Sequence, residues 1–406
     1  MAAGEATRAP TAEAQSMSRS SSSLRQRRVF AAACAGMFVF GIVLALLGTL
    51  FGLPELRARL HLNFARQGDL LRDLFAGIFI ATVIVGPLLD RFGSRVVLVF
   101  SSVLVSAALV GFASAHSFAP VAVASLTLGL GGGGLNTATN VLVSDLYGTE
   151  RGAMLNVLGI FFGIGALSIP LLAASISALL TPGQLMVSAA ALAGVCGLAY
   201  LAIECPPPAE AKAFSWREAA QVVRYPGIVL FAALLFCQSG NEASIGGWVS
   251  TYAAFRGLGA RTATWILAGY WAAMMLGRLI SARLVSRISK GQLIFWSGVG
   301  SVAGSLVLLV ASSRFKLAAG AALVGFSFAG IYPTVLAMVG DRYARYAGTV
   351  FGVLFSTALI GGMVFPWAIG HVSQTAGVRY GMFLPILSAT LICVLVHRIG
   401  QSESRN

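Results

Sequence analysis

Long apolar runs, each ended by a short cluster of charged or turn-forming residues, set the pattern of this chain. Val29–Leu53, Val96–Ser144 and Ala153–Ile203 contain no Asp, Glu, Lys or Arg. A bilayer core of about 30 Å takes about 20 apolar helical residues. The first run is therefore one span, and each of the others is a pair, folded back at His116-Ser117-Phe118-Ala119-Pro120 and at Thr181-Pro182-Gly183. Leu293–Ser313, Leu317–Gly340, Ala347–Gly370 and Tyr380–Val396 are four more. Runs with a few embedded charges near Ala65–Leu89, Pro226–Thr251 and Thr262–Ala282 bring the expected number to twelve. Backbone in lipid must bond to itself, and runs this long do so as helices rather than as the short alternating strands of a barrel. The expected fold class is an all-α membrane protein with twelve transmembrane helices.

The chain turns polar once in its middle, with Pro206-Pro207-Pro208 followed by Glu210, Lys212, Arg217, Glu218 and Arg224. That divides it into an N-terminal six-helix bundle at 29–203, a linker at 204–225 and a C-terminal six-helix bundle at 226–397. Residues 1–28 and 398–406 are left as tails. The first tail is rich in Ala, Ser and Arg without an apolar run, which predicts disorder and not a cleaved signal peptide. The halves also share a register. One constant shift places Gly129 on Gly325, Gly134 on Gly330, Asp145 on Asp341, Tyr147 on Tyr343, Gly152 on Gly348, Gly165 on Gly361 and Pro170 on Pro366. Two parallel repeats related by an axis along the membrane normal are a plan of secondary transporters, with the solute site near midplane between them.

The 28 Lys and Arg residues against 14 Asp and Glu change the picture only in orientation. The larger share of the cations falls in the tails and on the loops of the same side, among them Arg91, Arg95, Arg151, Arg278, Arg283, Arg287, Lys290, Arg342 and Arg345. Both termini are thus expected in the cytoplasm. Cations scattered over many short loops form no nucleic-acid surface. Cys34, Cys196, Cys205, Cys237 and Cys393 lack metal-type spacing and read as small packing residues. His61, His116, His371 and His397 lie at loop ends, and no nucleophile elbow, zinc motif or phosphate loop occurs. An enzyme, a cofactor and a metal site are therefore not expected. Arg outnumbers Lys heavily, as in products of GC-rich bacterial genes, so a bacterial inner membrane is the expected location, with a monomer the expected state.

Gly86-Pro87-Leu88-Leu89-Asp90-Arg91-Phe92-Gly93-Ser94-Arg95 ends the second span. It resembles the loop 2-3 signature of the major facilitator superfamily, Gly-x-Leu-x-Asp-Arg-x-Gly-x-Arg. The resemblance implies that Gly86 admits a neighbouring helix, and that Asp90 caps the eleventh helix near Gly348. It also implies that Arg91 or Arg95 pairs with Asp145 in a latch on the cytoplasmic side, with Asp341 at the repeat-related position. The second half keeps Gly277 and Leu279 of this signature but has Ser281 and Ala282 in place of the Asp-Arg pair. Gly132-Gly133-Gly134-Leu135-Asn136-Thr137-Ala138-Thr139-Asn140 and Leu155–Ala166 with Pro170 are similar to the fourth and fifth spans of the fucose permease group of sugar-proton symporters. Gly240–Trp248 is similar to the seventh span of some members. That group commonly has carboxylates in spans one and four and a His in span five; here span one has none, and Asn136 and Gly159 stand at the other places.

Glu242 is the one acid well inside a span. A carboxylate at that depth must pair, face a polar space or bind a proton, so it is the first candidate for solute binding and proton coupling; a structural Glu bonded to Asn241 or Gln238 is the alternative. Asp69 and Asp73, one turn apart beside Arg72, are a second candidate for protonation, or else a solvated face. Asn136, Asn140, Gln238, Asn241, Trp248, Tyr270 and Tyr332 supply amides and aromatic rings of the kind a sugar-like solute needs. The pattern as a whole predicts proton-coupled transport of a small polar solute, with export of lipophilic compounds or uncoupled uniport as alternatives.

Overall fold

The computed structural model describes residues 12–176, 181–205, 225–343 and 347–403. The first half comprises α1 (Ala12–Phe51), the short α2 (Pro54–Arg59), α3 (Phe64–Ser114), α4 (Phe118–Tyr147), a 3-10 turn (Gly148–Glu150), α5 (Arg151–Ile176) and α6 (Pro182–Leu201). The second comprises α7 (Pro226–Phe255), α8 (Ala260–Leu284), α9 (Lys290–Val310), α10 (Arg314–Phe328), α11 (Ile331–Arg342), α12 (Ala347–Ala376), α13 (Val378–Gly381) and α14 (Phe383–Glu403). Among the described residues, 11 stretches of helix are long and apolar enough to cross a membrane.

One of those stretches supplies two crossings. α3 has 51 residues, which at about 1.5 Å per residue is more than twice the thickness of a bilayer core. It is divided at Gly93, whose φ of 75° and ψ of 163° no helix contains and an L side chain rarely adopts. The expected loop between the second and third spans is thus a glycine kink within the signature, and the described residues provide for twelve crossings. Other boundaries follow local chemistry. Thr181 caps α6 through a reciprocal bond with Gln184, with Pro182 in the first turn, where its missing N–H costs nothing. Ser289 and Gln292 do the same for α9.

The structure departs from the sequence reading in two further places. α1 already runs through residues 12–28, where a disordered tail was expected, because no Gly or Pro interrupts the chain between Pro10 and Gly36. The tenth span, expected to be continuous over Leu317–Gly340, is broken at Ala329-Gly330 into α10 and α11. Most of the expected linker, 206–224, lies outside the described residues.

Within each half, repeat-related glycines let helices touch backbone to backbone. A methyl group added at Gly129 would lie 2.0 Å from the Leu74 carbonyl, and one at Gly325 2.4 Å from the Tyr270 carbonyl. Gly165 and Gly361 stand in the same relation to the carbonyls of Phe38 and Phe236, at 2.0 Å each. Small residues at such crossings are what drives association where lipid offers no hydrophobic gain. On the outside, Phe100, Val195, Leu198, Trp296, Val310 and Leu387 are more than half exposed; that apolar jacket fits a hydrocarbon solvent.

Candidate functional site

The bonds that join the halves gather at the end away from the termini. Ser250 donates to the Gly48 carbonyl, and Thr251 Oγ1 donates to Gln67 Oε1 at 3.2 Å. The Phe64 amide donates to Gln374 Oε1 at 3.1 Å, and Arg261 to the Ala174 carbonyl at 3.2 Å. Backbones meet here as well: a methyl group at Gly48 would lie 1.9 Å from the Gly246 carbonyl, and one at Gly68 3.1 Å from Gly370 Cα. Trp248, fully buried, donates to the Pro366 carbonyl at 3.1 Å and packs against Phe64. Its ring therefore belongs to the closed end in this conformation. The other end is looser: a methyl group at Gly86 or Gly152 would meet nothing within 4 Å. The close helix approach expected at Gly86 is not made among the described residues. Asp90, Arg91, Arg95 and Asp145 are exposed, and neither aspartate forms an ion pair among the described residues. Arg95 instead donates to the Leu201 carbonyl, and Asp341 pairs with Lys290 inside its own half.

Where the closed end gives way, the seam between the halves becomes charged. Arg278 Nη2 lies 3.8 Å from Glu242 Oε1, with 37% and 20% of the two side chains exposed. The Arg278 guanidinium also sits over the ring of Phe162 in the first half, 5.5 Å from its centroid. The same ring meets Trp271 edge-on at 6.4 Å and Phe40 at 5.5 Å, so Phe162 is packed by side chains of both halves. Tyr270 donates to the Glu242 backbone carbonyl at 3.4 Å, and both Tyr270 and Tyr332 lie within electrostatic reach of the Glu242 carboxylate. Tyr332 stacks on Phe355 with 11° between the ring planes.

Arg278 is a correction to the sequence reading, which counted it among the cations of the termini side. Helical side chains lean toward the N-terminus of their helix, and Arg278 Nη2 accordingly reaches back to Met274 Sδ at 3.9 Å. Its spacing from Trp271 and Met274, both buried, was the available signal: the three share one face of α8. Nothing comparable marked Phe162, one apolar residue among many.

On α7, Gln238, Asn241 and Ser244 follow at intervals of three, and all are fully buried. Gln238 Nε2 donates at 3.3 Å to the carbonyl of Phe328, the last residue of α10 before its break from α11. Gln238 Oε1, both polar atoms of Asn241 and the Ser244 hydroxyl have no partner among the described residues. Asn136 and Asn140 in the first half are half-buried and pair with each other, Asn140 Nδ2 donating to the Asn136 carbonyl at 2.7 Å and to its Oδ1 at 3.1 Å. Asp69 and Asp73 do not join Glu242. They share Arg72, at 3.2 and 2.8 Å, and Asp69 also lies 3.9 Å from His371 of the second half.

Two six-helix halves locked at one end, with a half-buried charge pair on the seam, define a membrane transporter. The Major Facilitator Superfamily pattern matches residues 29–366 and 256–403, and the chain belongs to that superfamily of transporters. Among curated relatives, major facilitator superfamily domain-containing protein 4A of Xenopus tropicalis is 31% identical over 41% of this chain, a match that spans only 34% of the frog protein. Protein TsgA of Salmonella paratyphi B is 24% identical over 78% of this chain and 81% of its own length. Among solved structures, a D-xylose-proton symporter superposes with a TM-score of 0.78 at 13% identity, covering 92% of this chain and 97% of that one. A point mutant of the nucleoside transporter NupG gives 0.75 at 15% identity, covering 93% and 99%. At these identities the structural likeness speaks for the fold.

Proposed function

We propose that the protein is a secondary transporter that moves a small polar solute, such as a sugar, together with protons by alternating access, in the manner of the fucose permease group it resembles. The observation that carries this reading is the Glu242–Arg278 pair on the seam between the halves, partly exposed and backed by aromatic rings. A carboxylate kept inside a membrane beside one cation is a proton acceptor whose charge state and solute occupancy influence one another. Glu242 is the coupling residue in this reading. Asn136, Asn140, Gln238, Asn241, Tyr270 and Tyr332 provide hydrogen-bonding groups for the solute. Asp69 and Asp73 share the single positive charge of Arg72 at the closed end, which leaves them the second candidate for protonation. The termini lie in the cytoplasm of a bacterial cell, so the end locked here is the outer one and the conformation is open inward; the unit is a monomer.

Purified protein in liposomes tests this. A solute panel is screened by counterflow, and uptake of each positive is measured under an imposed proton gradient. The wild type should accumulate solute and Glu242→Gln should not. Full proton-driven accumulation by Glu242→Gln would remove the coupling role, and channel-like leakage without counterflow would remove alternating access.

A further inference from the structure

The Arg278 guanidinium has five N–H donors and no oxygen within hydrogen-bonding distance among the described residues. Glu242 Oε1 at 3.8 Å is too far, since a charge-assisted bond spans about 2.7–2.9 Å. The other polar neighbour, Met274 Sδ at 3.9 Å, is a weak acceptor. The flat face is taken by Phe162, which leaves the N–H edge of the fork free. With 37% of its side chain exposed, the guanidinium keeps its free N–H edge open to solvent, from which a ligand oxygen can take it over. It is also placed for such a ligand, because it belongs to the second half while the ring that orients it belongs to the first.

We propose that Arg278 binds the anionic end of the transported solute, which is a hydroxylated monocarboxylate of the sugar-acid class. This rests on the transport reading above and names its substrate. The fork of a guanidinium matches a carboxylate bidentately. The phenols of Tyr270 and Tyr332, within electrostatic reach of Glu242, suit hydroxyls. One cation answers one negative charge, so a dianion does not fit.

Charge balance then fixes the coupling. In the empty carrier Glu242 is ionised and cancels Arg278. An arriving carboxylate would face Glu242 at close range, and like charges in a site of low dielectric repel strongly. Binding therefore requires a proton on Glu242, after which the solute carboxylate replaces Glu242 as the counter-charge of Arg278. The groups that face Glu242 in this exchange are Arg278 from α8, Tyr270 from α8 and Tyr332 from α11. Both the empty and the loaded carrier have no net charge at the seam. The carrier holding a proton alone would have one, which penalises proton leak without solute. One proton and one monoanion cross together, and the cycle moves no net charge.

The test uses wild-type protein, Arg278→Lys and Arg278→Gln in liposomes, with counterflow of gluconate and galacturonate compared against glucose and galactose. The acids should exchange at least ~10-fold faster than the neutral sugars, the discrimination expected when a site holds one charged hydrogen-bonding partner. Arg278→Gln should lose acid exchange by ~10- to 100-fold, and Arg278→Lys, which keeps the charge but not the fork, should fall between. Wild-type acid uptake should also be unchanged when a potassium gradient with valinomycin sets the potential. If Arg278→Gln does not fold, by thermal unfolding in detergent, the wild-type acid-to-sugar ratio and the potential dependence decide alone. Exchange of neutral sugars with the acids inert would overturn the inference and leave the transport reading intact. Exchange of neither class would also overturn the inference, while the transport reading stands or falls on the wider counterflow panel. Acid uptake driven by the potential would overturn the balance of one proton with one anion.

Discussion

His371 on α12 lies 3.9 Å from Asp69 on α3, so an imidazole of one half meets a carboxylate of the other at the locked end. The Trp367 ring packs against the same imidazole, tilted by 38° with 4.6 Å between ring centroids, and its carbonyl lies 3.1 Å from His371 Nδ1, fixing the ring. Asp69 is shared with Arg72, and the His371 and Asp69 side chains are 43% and 23% exposed. Solvated pairs of this kind are worth about 0–1 kcal/mol. His371→Ala should therefore shift the equilibrium away from the locked end by no more than about fivefold. Distances between spin labels at His61 and Arg379 would read the shift. A complete loss of the locked population would show that this pair, and not the backbone packing around it, holds the end together.

Backbone packing is expected to be the stronger constraint. At Gly48 an added methyl group would stand 1.9 Å from the Gly246 carbonyl of the other half, and no side-chain adjustment relieves a clash with backbone. Gly48→Ala should leave each half folded while preventing the locked end from forming, with counterflow reduced by about tenfold or more. Gly165→Ala makes the contrast, because Gly165 meets Phe38 inside one half. That variant should lower the thermal unfolding midpoint through about 1–3 kcal/mol of overpacking. Equal unfolding and equal counterflow in the two variants would contradict the division of these contacts between the closed end and the bundle interior.

Much of this fold was legible because lipid imposes one demand on every span. Val29–Leu53 could only be a helix, and the shared register of Gly129 with Gly325 and of Gly165 with Gly361 reappears as matched backbone contacts. The kink at Gly93 was harder to foresee, since a turn and a bent helix call for the same residue. Glu242 stood out by its depth in an uncharged run. Its partner did not: Arg278 is six residues from the end of α8, and loop charge and seam charge look alike there until the direction of the side chain is known. Trp248 was grouped with the binding residues on its chemistry, whereas its place is set by a carbonyl on another helix, at Pro366. The latch residues were legible as a motif, but among the described residues neither Asp90 nor Asp145 forms an ion pair.

That latch leads to a prediction about states. Asp90 and Asp145 are exposed and form no ion pair among the described residues, so Asp90→Asn and Asp145→Asn should change the stability of this conformation by less than about 0.5 kcal/mol. If the two carboxylates act by capping and pairing once the end carrying the termini closes, both variants should still slow net transport. They should also enrich the present conformation in spin-label distances. Wild-type transport by both would leave the signature without a role in switching.

Cys205, just beyond α6, offers a chemical reading of the same end. Burial pushes its thiol up from the ordinary range, opposed by the positive charges of Arg95 and Arg25. The thiolate is the reactive form; a raised pKa means less of it at a given pH, so labelling by a maleimide should be slow near neutrality and should speed up as pH rises. Arg95→Gln removes one of the charges that favour the thiolate, and should slow labelling further at fixed pH. The measurement needs a variant in which Cys205 is the remaining cysteine, with Cys34, Cys196, Cys237 and Cys393 replaced by Ala. In whole cells a membrane-impermeant maleimide should fail to reach Cys205 and in inverted vesicles it should succeed, because Arg25 and Glu204 tie this segment to the side of the termini. Rapid labelling of intact cells would invert the assigned topology, and with it the direction in which the seam at Glu242 and Arg278 opens.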